Sequence, residues 1–197
     1  MHEAKAMTTA IVLAAGLSSR FGSLKQLADY RGEPLVRHAA RVALAAGCAR
    51  TIVVIGNERV REALAGLDVD VVFNDEEGLS SSIRRGVQAA EGDDVLLTLG
   101  DQPLVTPEHL RALMEANAPI AITAFSFSVA AGSQPAGRAK SPPPQWGPPA
   151  FFTARFADEL CGLQGDRGAR GVIEAHRDSV VAIRFDDAAF DVDYRML

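Results

Sequence analysis

Short runs of apolar, often β-branched residues recur along this chain, separated by longer stretches whose apolar positions repeat at helical spacing. Thr9 to Leu13, Thr51 to Ile55, Val69 to Phe73, Val95 to Leu99 and Ile120 to Phe125 are too short for helices and almost continuously apolar. A strand with one wet face alternates apolar and polar residues, so continuous runs predict strands covered on both sides. Val180 to Phe185 reads as one more near the C-terminus. Strands alternating with helical stretches predict an α/β fold with a largely parallel sheet.

The intervening stretches carry helix signals. Pro34 to Ala46 places Leu35, Val36, Ala39, Ala40, Val42 and Ala43 on one face, with Pro34 suited to the first turn and Gly47 to end it. Thr106-Pro107-Glu108 combines a capping hydroxyl, a proline and an acid at the positive end of the helix dipole, so a helix runs from there to about Glu115. Ser80 to Ala90 and Gly168 to Ala175 are predicted helices as well. The segment 130–149 is rich in Gly, Pro and Ser and has no apolar period, so it reads as an exposed loop, with Trp146 and its prolines packing within it. No repeat or long linker interrupts the rest, which predicts one domain over residues 1–197.

Composition narrows the partners. With 48% apolar and 23% charged residues, the 197-residue chain can bury about 70% of its unfolded surface and needs no staple to fold. A net charge of −5 argues against a broad cationic face for nucleic acid, and leaves phosphate binding to a few placed cations. Cys48 and Cys161 are far apart and form no ligand pair, no apolar run is long enough to span a membrane, and no export segment is read. The expected location is the cytoplasm, with no membrane partner.

Ligands of open α/β sheets collect where strands end, so the loops after the strands are the candidates for chemistry. After the first strand come Gly16 and Gly22, which let the backbone approach an anion, and Arg20 and Lys25, which supply positive charge. Phosphate suits that combination. Neither G-x-x-x-x-G-K-[ST] nor G-x-G-x-x-G is present at this loop, which removes the main support for a P-loop kinase or a nicotinamide dehydrogenase. After the fourth strand, Gly100-Asp101-Gln102-Pro103 puts a carboxylate on a proline-stiffened turn. One carboxylate facing bound phosphates is sufficient for Mg²⁺, although an aspartate can also serve its own turn. Asn74 and Ser80, Ser81 and Ser82 offer small polar groups where a helix begins, able to bond a nucleoside or simply to cap the helix. His2, His38, His109 and His176 are scattered and read as surface or helix residues.

Together, L-A-A-G-L-S-S-R-F-G-S-L-K at Leu13 to Lys25, N-D-E-E-G-L-S-S-S-I-R-R-G at Asn74 to Gly86 and G-D-Q-P at Gly100 to Pro103 resemble the nucleotidyltransferases of molybdenum cofactor maturation. G-P-P-A-F-F at Gly147 to Phe152 and G-D-R-G-A-R at Gly165 to Arg170 extend the resemblance in the same order. It implies a Rossmann-like three-layer sandwich and transfer of a nucleoside monophosphate to the terminal phosphate of molybdopterin, with pyrophosphate released. The Ala14-Ala15-Gly16 form and Gln102 are similar to the CTP-using branch, because Ala15 in place of glycine narrows the space beside the base. The resemblance implies nucleotide contacts at Leu13, Ala14, Ala15, Gly16, Ser18, Ser19, Arg20, Gly22, Lys25, Asn74, Ser80, Ser82 and Gly100. It implies catalytic roles for Arg20, Lys25 and Asp101, and Mg²⁺ on Asp101.

Where such proteins close on an acidic or amide pair followed by Thr-Pro, this chain has Asp191-Val192-Asp193-Tyr194, so Asp193 matches as a second metal carboxylate. Gln102, Asp166 and Arg170 are candidates for the acceptor, while an N-cap and a solvated helix charge account equally for the last two. A molybdenum hydroxylase is the implied receiver of the product. Guanylyl transfer, a sugar or polyol phosphate as acceptor, and a non-catalytic cofactor-delivery role are the competing readings.

Overall fold

A computed structural model describes residues 7–16, 24–125 and 145–185. In chain order these form β1 (Thr8–Ala14), β2 (Asp29–Tyr30), β3 (Glu33–Pro34), α1 (Leu35–Ala45), β4 (Arg50–Ile55), α2 (Glu58–Ala63) and β5 (Asp70–Phe73). They continue with α3 (Leu79–Ala89), β6 (Asp94–Leu99), α4 (Pro107–Met114), β7 (Ile120–Phe125), β8 (Gln145–Phe152), α5 (Ala157–Cys161), α6 (Arg170–Ala175) and β9 (Val180–Arg184). Seven strands make one sheet in the order β5-β4-β1-β6-β8-β7-β9, and β2 and β3 form a separate hairpin. Among the described strands of the large sheet, only β8 runs against its neighbours, pairing antiparallel with β6 and β7. The fold is the α/β fold with a largely parallel sheet expected from the strand and helix alternation, and the Rossmann-like sandwich that the resemblance implies.

At the sheet edge β5 is only partly covered, with Phe73 43% exposed, whereas the continuous apolar strands β1, β4, β6 and β7 are covered on both faces. On one, Ala10, Val12, Val53 and Leu96 pack with Val36, Ala40 and Ala43 of α1 and Leu110 and Leu113 of α4. On the other, Ile11, Val54, Leu97 and Phe152 pack with Ile83 and Val87 of α3, Leu160 of α5 and Val172 of α6. Period-two alternation within β1 thus feeds two separate cores, and each apolar residue of the run has a place to be buried.

Helix termini follow the expected chemistry with local differences. Thr106 accepts from the His109 N–H at 3.3 Å and Pro107 takes the first helical position of α4. Pro34 stands one residue outside α1, because it is already paired with Asp29 in the β2–β3 hairpin. The helix expected from Gly168 begins at Arg170, since Gly168 holds a φ of +56° and packs against Leu79, where a Cβ would lie 2.7 Å from the leucine side chain.

The expectation of a loop over 130–149 is corrected for 145–149, and residues 130–144 lie outside the described residues. Gln145 to Pro149 belong to β8, and Trp146 is a strand residue with the Arg177 guanidinium 5.4 Å from its ring centre. The prolines concealed the strand. They are tolerated because the ladder to β7 shifts register between Ile122 and Thr123, and Pro148 and Pro149 fall in the shift, where no N–H is required. Among the described residues no helix is long and apolar enough to cross a membrane.

Candidate active site

A cavity of about 870 Å³ opens at the carboxyl ends of β1 and β6. These strands are adjacent, and Gly100 N donates to Leu13 O at 2.9 Å, so the two loops leave the sheet side by side. Leu13, Ala15 and Gly16 form one wall, and Leu99, Gly100 and Asp101 the next. The N-terminal turns of α3 supply Gly78, Leu79, Ser81, Ser82 and Arg84. Gln164, Gly165 and Asp166 cross in front of that helix end.

Lys25 and Asp101, which are 76 residues apart, meet here: the lysine Nζ donates to the aspartate Oδ2 at 2.8 Å. Both are mostly buried, with side chains 17% and 26% exposed. The short 3₁₀ turn Lys25–Leu27 aims Lys25, and the end of β6 aims Asp101. An ammonium already held by one carboxylate is fixed in place, and the carboxylate keeps further lone pairs for another cation. Within the described residues no group of three or more carboxylate, imidazole or thiol ligands gathers. The donor set is therefore one protein carboxylate at a cavity wide enough for a polyphosphate, which fits a Mg²⁺-like ion that takes most of its ligands from phosphates and water.

The backbone comes close at two glycines. A Cβ on Gly56 would lie 2.7 Å from Ala15 O, and one on Gly100 would lie 3.0 Å from the Ala14 Cβ. Gln26 completes this wall, with its Nε2 donating to Gly16 O at 2.6 Å and only 7% of the residue exposed.

The segment before α3 is bonded to itself. Asn74, 2% exposed, donates through Nδ2 to Glu76 O and to the Ser81 and Ser82 hydroxyls at 3.0 to 3.1 Å. Ser81 Oγ donates to Gly78 O at 2.8 Å. Gly78 holds a φ of +97°, a conformation glycine reaches without strain, and brings the chain to the helix start. Asp166 Oδ1 accepts from Leu79 N at 3.0 Å, and Ser80 Oγ donates to Gln164 O at 3.3 Å, so the distant 164–166 segment caps α3.

The expected site residues therefore divide. Leu13, Ala15, Gly16, Ser82, Gly100, Asp101 and Asp166 line the cavity, and Lys25 reaches it through Asp101. Ala14 is turned into the α1 core, and Asn74 and Ser80 are buried behind the cavity wall. Gln102, 5% exposed, faces β8 instead of the cavity. Arg170 is exposed and paired with Glu174 at 3.3 Å, outside the cavity lining. Ser18, Ser19, Arg20, Gly22 and Asp193 lie outside the described residues. Glu76, Glu77 and Arg84 line the cavity without having been assigned a role. Arg84 donates to Leu163 O at 2.7 Å and to the Glu76 carboxylate, a pairing of distant segments that no local pattern announces.

The chain is similar in sequence and fold to known proteins. Residues 10–180 match the MobA-like NTP transferase domain. The chain is 27% identical over 179 residues to the purine catabolism protein PucB of Bacillus subtilis, covering 84% of this chain and 80% of PucB. It is 36% identical over 115 residues to the bifunctional protein GlmU of Rhodospirillum rubrum, and 30% identical over 112 residues to the 3-deoxy-manno-octulosonate cytidylyltransferase of Chlorobium phaeobacteroides. Each of those two matches covers 55% of this chain, but only 26% and 45% of the respective relatives. Among solved structures, Rv0371c of Mycobacterium tuberculosis superimposes with a TM-score of 0.79 at 29% identity, covering 98% of both chains. Its manganese complex gives 0.73 at 30% identity, covering 96% of this chain and 97% of that one. A domain match over most of the chain, joined to the same fold, places this protein in the MobA-like NTP transferase family.

Proposed function

We propose that the protein is a divalent-metal-dependent nucleotidyltransferase that moves CMP from CTP to the terminal phosphate of molybdopterin and releases pyrophosphate. The observation that carries this reading is the Lys25–Asp101 pair at 2.8 Å, set where β1 and β6 end and facing a cavity closed by α3. The motif resemblance and the family support it. The manganese complex of Rv0371c supports a divalent metal, which we assign as Mg²⁺.

In the proposed reaction an oxygen of the acceptor phosphate forms a bond to the α-phosphorus, the bond from that phosphorus to the bridging oxygen breaks, and pyrophosphate departs in line. Negative charge gathers on the leaving oxygens, so the work of the protein is positioning and neutralisation. Lys25 supplies a fixed ammonium for that charge, and Arg20 and the backbone from Gly16 to Gly22 serve the triphosphate. Asp101 would hold the metal, which when bound withdraws charge from the phosphate oxygens. No side-chain nucleophile is needed. Ala15 on the cavity wall narrows the base site in favour of a pyrimidine.

Incubation of the folded protein with CTP, Mg²⁺ and molybdopterin should release pyrophosphate. Lys25→Ala and Asp101→Ala should each lower kcat by a factor of about 100 or more, equivalent to ~3 kcal/mol of transition-state stabilisation. No pyrophosphate release by well-folded wild type would overturn the reading. A second reading keeps the reaction and changes the acceptor to a sugar or polyol phosphate. Glu77 and Asp166 favour it by bringing carboxylates suited to hydroxyl donors to the cavity, Glu76 being paired with Arg84. Release of pyrophosphate with phosphorylated polyols, but not with molybdopterin, would select it.

A further inference from the structure

The β8 register shift lies beside the turn that presents Asp101. β7 pairs Ile122 with Ala150 and then Thr123 with Gly147, while pairing with β6 ends at Leu97 and Ala150. Pro148 and Pro149 are thus left outside both ladders. Their two carbonyls, unpaired by either ladder, need donors from elsewhere. Side chains from two other elements supply them: Gln102 Nε2 donates to Pro148 O at 3.0 Å, and Thr123 Oγ1 donates to Pro149 O at 2.9 Å.

The second donor is itself held. A threonine hydroxyl has one proton, and Thr123 gives it to Pro149 O, so Thr123 accepts from His109 Nε2 at 2.9 Å. That assigns the Nε2–H tautomer by chemistry. The imidazole is stacked on Phe185, with centroids 3.8 Å apart and planes 6° from parallel. Gln102, Thr123 and His109 are 5%, 0% and 0% exposed.

Two atoms of this set, Gln102 Oε1 and His109 Nδ1, are buried with no hydrogen-bond partner among the described residues. Apolar side chains at positions 102 and 123 would leave both proline carbonyls without these donors, so these polar groups are what fasten β8 at the register shift. Gln102 directly follows Asp101, so its amide ties the turn carrying the carboxylate to β8, and the Thr123–His109 pair holds β8 at the adjoining carbonyl.

We propose that Gln102, Thr123 and His109 are positioning residues that set the Asp101 carboxylate against Lys25 through the β8 register shift, with Gln102 as the link. The proposal rests on the reading of Asp101 as a metal carboxylate. It predicts that loss of these polar groups weakens cation binding at Asp101 beyond any change in stability.

The test uses the full chain with CTP present and measures free Mn²⁺ by electron paramagnetic resonance, alongside Tm, kcat and the KM for CTP. Gln102→Met keeps the shape and removes the donor. It should weaken Mn²⁺ binding about tenfold, as loss of an outer support of a metal ligand commonly does, with the KM for CTP within about twofold of wild type. Thr123→Val should act in the same direction, and Thr123→Ser, which keeps the hydroxyl, should restore Mn²⁺ binding. In an Asp101→Asn background Gln102→Met should have no further effect. A lowered Tm with unchanged Mn²⁺ binding in Gln102→Met, or an undiminished effect in the Asp101→Asn background, would overturn the proposal. Mn²⁺ binding unaffected by Asp101→Asn alone would instead defeat the metal reading of Asp101, and this inference with it.

Discussion

His109 turns its side chain from α4 into the core. Its helix, α4, is amphipathic and begins where the capping signals put it. Yet the imidazole has no solvent exposure, and burial pushes its pKa down to about 4 from an ordinary value near 6.5. The unfolded chain therefore binds more protons than the folded one between those two values. Stability is full above pH 6.5, declines as pH falls through the window and is lost by pH 4, amounting to ~3 kcal/mol. Denaturant midpoints at pH 7 and pH 4 should differ more for wild type than for His109→Gln, and equal differences would contradict the assignment. Lys25 and Asp101 contrast with this histidine, because their residue types and strand-end positions already indicated phosphate and cation chemistry. What the residues could not disclose is that they touch each other.

At the scale of elements, the cavity depends on how closely α3 and two loops approach β1. Gly86 of α3 lies where a Cβ would stand 2.5 Å from Ile11 Cγ2 and 3.2 Å from Val54 Cγ2. Gly86→Ala gains helix propensity of about 1 kcal/mol but forces α3 off the sheet, and overpacking of this kind typically costs 1–3 kcal/mol. A net fall in Tm is expected, and a rise would show that α3 can shift freely. Gly56 differs because its neighbour is backbone, the Ala15 carbonyl, which cannot rotate aside. Gly56→Ala should displace the Ala15–Gly16 turn and raise the KM for CTP more than it lowers Tm. Steady-state kinetics beside thermal melts distinguish the two outcomes. Gly86 closes one of the quoted motifs and Gly56 stands in none, but the close approach of either to a segment distant in sequence leaves no local pattern.

At the scale of the molecule, the sheet order β5-β4-β1-β6-β8-β7-β9 puts β1 next to β6, and this brings the first glycine-bearing loop beside the G-D-Q-P turn. A chain with a net charge of −5 can still present cations where a triphosphate needs them, because Lys25 is delivered to one strand end and not spread over the surface. CTP with Mg²⁺ should raise Tm more than GTP or UTP at equal concentration. At a ligand concentration 100 times Kd the stabilisation is about 2.7 kcal/mol. A larger shift with GTP would move the base assignment away from Ala15.

The α/β alternation, the two-faced burial of the central strands, the capping of α4 and the residue types at the strand ends are all written locally in the chain. Each of these depends on neighbours within a few positions, where periodicity and capping chemistry act. The tertiary structure alone decided that Gln145 to Pro149 extend β8 and that Gln102 turns toward it and away from the cavity. It also decided that Asp166 caps α3 and that Arg84 binds Leu163 O. Those outcomes rest on register and on hydrogen bonds between segments dozens of residues apart, and the prolines of β8 disguised its strand until the ladder showed where no N–H was required.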